Sequence, residues 1–104
     1  MKRVGFKMKL RPGFAAEYKK RHDEIWPELV ELLAAHGVRD YTIFHDPETD
    51  ILFAINYEVA STRLNDLSAE PLMKKWFAHM GDVMATNQDG SPTMKPLVEV
   101  FHMD

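Results

Sequence analysis

From Arg3 to Leu10 apolar and polar side chains alternate: Val4, Phe6, Met8 and Leu10 fall on one side, Arg3, Gly5, Lys7 and Lys9 on the other. That period of two predicts a half-buried strand. Arg11-Pro12-Gly13 turns the chain, and Phe14, Tyr18, Ile25, Leu29, Leu32 and Leu33 then recur at helical spacing to about His36, where Gly37 supplies a stop. Pro27 lies inside this stretch. Its missing amide and its clash with the preceding turn predict a kink or break near Trp26. Residues 38–45 read as a second strand, residues 46–50 as a turn, and residues 51–58 as a third strand closing a hairpin. Ser61 suits the N-cap of a short helix through Ser68, and Pro71 can open another running to about Met84. Residues 87–92 form an irregular loop, and residues 97–103 read as a fourth strand.

The order strand, helix, strand, strand, helix, strand predicts an α+β fold of the ferredoxin-like, split βαβ kind, with a four-stranded antiparallel sheet and helices on one face. The third strand places Ile51, Phe53, Ile55 and Tyr57 on one face and Leu52 and Ala54 on the other. The last carries Leu97, Phe101 and Met103 opposite Val98 and Val100. Helices cover one side of such a sheet, so apolar residues on the second side predict a partner, most simply an identical subunit.

A chain of 104 residues is read as one domain, residues 1–104. It has no cysteine, which excludes disulfides and thiol chemistry and fits a reducing cytoplasm. The 13 Lys and Arg are scattered and the net charge is −3, which argues against a nucleic-acid partner. No apolar run reaches membrane-spanning length, and no signal peptide is visible.

The chemistry concentrates at Tyr18, His22 and Trp26, four residues apart on one helical face. Phenol, imidazole and indole together offer hydrogen bonds, a proton carrier near neutral pH and a flat apolar platform. That set suits a small polar ligand with an apolar face, such as a sugar. His22 is the candidate acid–base group, although Lys19, Lys20, Arg21, Asp23 and Glu24 around it also fit a plain surface histidine. Tyr18 can orient a hydroxyl or relay a proton, though a core-edge tyrosine with its phenol in water is the commoner case, and Tyr41, on the side of its strand that carries Ile43, either packs or points its hydroxyl into a pocket. Trp76 and Phe77 are adjacent on the last helix, so one can enter the core while the other faces a cleft. The five histidines lack paired metal-ligand spacing, and neither a phosphate loop nor a nucleophile elbow occurs, so a metal site, phosphoryl transfer and serine hydrolysis are not expected.

The run Arg21-His22-Asp23-Glu24-Ile25-Trp26-Pro27-Glu28-Leu29 resembles the L-rhamnose mutarotases. The likeness continues through residues 40–44, 52–54, 75–76, 80–84 and 99–101, and so covers nearly the whole chain. The resemblance implies a dimeric α+β barrel that interconverts the α and β anomers of L-rhamnopyranose without cofactor. By position it implies His22 as proton donor and Tyr18, Tyr41, Trp76 and Phe77 as sugar-binding residues, with His22 the acid on ring opening and the base on closure. Phe77 stands where the pattern often has a second tryptophan, and Asp23 where asparagine often follows the histidine. The rival readings are a cofactor-independent monooxygenase or haem-handling protein of the same barrel fold, with His79 or His102 as axial ligand, and a non-catalytic sugar-binding dimer.

Overall fold

The computed structural model describes residues 1–59 and 64–104. It orders the chain as β1 (Lys2–Lys9), α1 (Ala15–Asp23), α2 (Pro27–Ala35), β2 (Val38–Asp46), β3 (Ile51–Glu58), α3 (Leu64–Ala69), α4 (Pro71–Met80) and β4 (Lys95–Pro96). The strands form a four-stranded antiparallel sheet in the order β2-β3-β1-β4, the split βαβ arrangement expected. The N-cap expected at Ser61 lies outside the described residues.

Cross-strand register explains which face is covered. Val4, Phe6 and Met8 of β1 stand opposite Asn56, Ala54 and Leu52 of β3. Leu52 and Ala54 are wholly buried, and with Met8 they join Leu29 of α2 and Trp76 and Met80 of α4 in one core. Phe53, Ile55 and Phe44 project from the other face and remain 37%, 39% and 59% exposed. The alternation along the strands therefore reports a sheet clad on one side only.

The single helical pattern of residues 14–36 is resolved as a break, not a bend. Trp26 adopts an extended backbone, φ −65° and ψ 128°, the conformation forced on a residue before proline. Pro27 then opens α2, where its absent amide has no intrahelical partner to lose. The break frees α1 to take its own direction.

Two expected boundaries are corrected. The last helix stops at Met80 rather than Met84, with Gly81 as its C-cap. Residues beyond it serve the core instead: Val83 is wholly buried, its carbonyl accepts from the Arg11 amide at 2.9 Å, and Met84 bridges to Leu10. The strand expected over residues 97–103 does not form; the fourth strand is Lys95–Pro96, just before it, paired with Lys7 and Phe6. Pro96 has no amide to give the ladder, and after the Leu97 amide bonds the Gly5 carbonyl at 2.8 Å no regular strand continues. Val98, Val100, Phe101 and Met103 are consequently 78–92% exposed.

Candidate active site

The one-turn spacing on α1 stacks the Tyr18 and His22 rings 4.3 Å apart. His22 Nδ1 lies 3.0 Å from the Tyr18 carbonyl oxygen. A carbonyl only accepts, so Nδ1 carries the proton and Nε2 is left with its lone pair. Among the described residues Nε2 has no hydrogen-bond partner. Opposite, α4 presents Trp76 edge-on to His22, with centroids 5.4 Å apart. Trp26 stacks edge-on behind Trp76 at 5.1 Å, and His79 packs against both indoles at 5.6 Å. The imidazole is thus held between two fixed rings.

Arg21 joins the two helices. Its guanidinium donates to both carboxylate oxygens of Asp82 just past α4, at 2.7 and 3.2 Å, and its Nε donates to Glu17 at 3.0 Å. This fork-to-fork pairing is the strong form of the ion pair. Its neighbour in sequence is His22, so the clamp also sets how far His22 stands from Trp76.

Between sheet and helices lies a cavity of about 920 Å³, at the upper end of the range usual for small-molecule sites. Tyr18, His22, Tyr41, Trp76 and Phe77, the five residues singled out from the sequence, all line it. Trp26 does not; it supports the wall from behind. Trp76 is only 7% exposed and belongs to the core as well, while Phe77 is half-buried. The rest of the wall is chiefly apolar, with Met8, Met73, Met80, Met84 and Met94 contributing pliable thioethers.

Burial sets the protonation states. It lowers the His22 imidazole below its ordinary value, against the opposing pull of the Tyr18 carbonyl and Asp23. Tyr18 is raised by burial and then by the nearness of Tyr41. Tyr41 as a residue is 39% exposed, yet the protein crowds its phenol and burial pushes it up to about 12. At neutral pH the site therefore holds a neutral imidazole able to accept a proton and two phenols that keep theirs.

The cavity has further polar residues: Lys19 and Asp23, which the sequence sets around His22, and Asp40 and His45, which it does not connect with the site. Asp40 had a usable signal. Val38 and Ile43 both face inward although five positions apart, which a period-two strand permits only if an extra residue is inserted between them. The structure has that insertion, a register shift between Arg39 and Thr42. Among the described residues no cluster of three or more His, Cys, Asp or Glu is placed to hold a metal ion.

A family model described as L-rhamnose mutarotase matches residues 3–103. An L-rhamnose mutarotase of Jannaschia is 52% identical over 103 residues, covering 99% of each chain. One of Phocaeicola vulgatus is 50% identical over the full length of both. The crystal structure of an L-rhamnose mutarotase from Formosa agariphila superposes with a TM-score of 0.93 at 45% identity, over 100% of each chain. A Bordetella bronchiseptica protein described as a putative antibiotic biosynthesis monooxygenase shares the fold alone, with a TM-score of 0.65 at 14% identity over 95% of this chain and 96% of that one. The oxygenase and haem readings are therefore not favoured, and the chain belongs to the L-rhamnose mutarotase family, isomerases of carbohydrate anomers.

Proposed function

We propose that His22 carries the anomer exchange of L-rhamnose in the cavity between sheet and helices, with Tyr18, Tyr41, Trp76 and Phe77 binding the sugar. The observation that carries this reading is the Nε2 of His22, without a hydrogen-bond partner among the described residues and held between a phenol and an indole on the cavity wall. Mutarotation breaks the C1–O5 bond and the O1–H bond, and forms C1=O1 and O5–H. Rotation about C1–C2 then lets O5 close on the other carbonyl face. The neutral Nε2 takes the O1 proton on opening, while a phenol supplies the proton that O5 needs. Closure reverses both transfers, so His22 is a proton donor on closure rather than on opening. This inverts the order expected from the sequence, because a buried imidazole rests without its second proton. Trp76 and Phe77 face the apolar side of the ring and its methyl group.

Saturation-transfer NMR on the two rhamnose anomers tests the order of proton transfer. The increment over the spontaneous rate is expected to rise with pH and level off, with a midpoint below ~6.5, because only the unprotonated imidazole accepts from O1. An increment that instead grows toward acid would assign the first transfer to imidazolium.

The uncovered sheet face, with Phe44, Phe53 and Ile55, supports a homodimer that closes sheet against sheet. The exposed apolar segment after β4 would be covered in the same assembly. Phe53→Asp is expected to convert the dimer to a 12.0 kDa monomer in analytical ultracentrifugation. A wild-type protein that sediments as a monomer would remove the dimer from the account. A chain without cysteine suits a reducing compartment, and the cytoplasm is its proposed location.

A further inference from the structure

Opposite Asn56, β2 places two residues where β3 has one. Arg39 pairs with Tyr57 and Thr42 with Ile55, so Asp40 and Tyr41 together face a single position. Such a bulge turns both of its side chains toward the same face of the sheet as the residue opposite. Here that is the helix-covered face, and both Asp40 and Tyr41 line the cavity. Asp40 has φ +49°, a left-handed conformation that glycine adopts freely and other residues rarely. Aspartate is among the few side chains that tolerate it, and Asp50 in the β2–β3 turn adopts it too, at φ +60°.

What the side chain offers is an acceptor. The cavity wall includes two carboxylates, Asp23 and Asp40. Asp23 is engaged by the Lys19 ammonium at 2.9 Å. The Asp40 carboxylate has no hydrogen-bond or ion-pair partner among the described residues; only its carbonyl is approached, by Thr42 Oγ1 at 3.5 Å. The Trp76 indole N–H can only donate, and a phenol that turns its O–H toward the sugar offers only its oxygen lone pairs as an acceptor, a weaker one than a carboxylate. His22 Nε2 is reserved for the transferred proton. Every hydroxyl of a pyranose is also a donor, and one buried without an acceptor weakens binding.

We infer that Asp40 is a further sugar-binding residue, its carboxylate accepting hydrogen bonds from hydroxyls of the bound sugar beside Tyr41. It orients and selects substrate and takes no part in proton transfer. The inference rests on the cavity being the rhamnose site, and the experiment separates the two.

Asp40→Gly removes the carboxylate and suits φ +49°, so the fold should persist, which thermal denaturation checks. Binding of L-rhamnose is followed by tryptophan fluorescence, and KM and kcat by anomer exchange. Asp40→Gly is expected to raise Kd and KM roughly ten- to a hundredfold, the span of a hydrogen bond to a charged group, with kcat within about threefold. Asp40→Asn, which keeps one acceptor oxygen, should recover part of the loss. Unchanged Kd and KM in Asp40→Gly would overturn the inference, and so would a fall in kcat at constant KM. Wild-type protein that binds rhamnose without hastening exchange would sink the His22 reading, while the fluorescence comparison would still decide the role of Asp40.

Discussion

His22→Ala is expected to cut the catalysed anomer exchange by about 10²–10⁴-fold, the usual worth of a positioned acid–base group. The ring is only half-buried and, among the described residues, its one hydrogen bond runs to a carbonyl of its own helix, so the fold should survive. Its removal leaves a gap between the Tyr18 and Trp76 rings, 4.3 and 5.4 Å from the imidazole centroid. Imidazole added in solution can enter that gap and should restore part of the rate, whereas pyrazole, a much weaker base, should not. Rhamnose binding should persist, since the phenols, the indole and Phe77 are untouched. This pattern also separates an enzyme from a passive sugar-binding dimer, for which the substitution would leave exchange at its spontaneous rate before and after. Full wild-type exchange in folded His22→Ala protein would withdraw the imidazole from the mechanism.

Much of this site is legible in the chain because its chemistry starts from local spacing. Tyr18 and His22 meet through the pitch of one helix, and Pro27 announces the break that frees that helix from the next. The face of Tyr41 follows from its parity with Ile43. What was not legible depends on neighbours. The meeting of His22 with Trp76 requires α1 and α4 to pack, and their clamp, Arg21 with Asp82, joins residues 61 apart in sequence. The apolar run after Pro96 reads as a strand by its own pattern, but a strand forms only beside a partner edge, and this chain supplies one for two residues. The end of α4 at Met80 was set by burial of Val83 and Met84 rather than by helix propensity.

Trp76 joins these two levels, and its substitution should show both. Read from the sequence it is a sugar platform whose loss mainly weakens sugar handling. The structure adds a core role: at 7% exposure it packs against Trp26, His22 and His79, and it shares the central cluster with Leu29, Leu52 and Met80. Trp76→Ala should therefore cost about 3–5 kcal/mol, the range for removing a buried aromatic. A domain of this size has roughly 5–15 kcal/mol in total, and each kcal/mol moves Tm by about 4–8 °C. A fall in Tm of roughly 12 °C or more is the expected reading, with activity lost through both the missing wall and the loosened imidazole. Trp76→Phe separates the two effects. It keeps a ring in the core and restores most of the Tm, yet it removes the indole N–H and part of the platform, so KM should stay raised. A Trp76→Ala protein that melts with the wild type would deny the residue its place in the core. Wild-type KM in Trp76→Phe would deny the indole a specific part in holding the sugar.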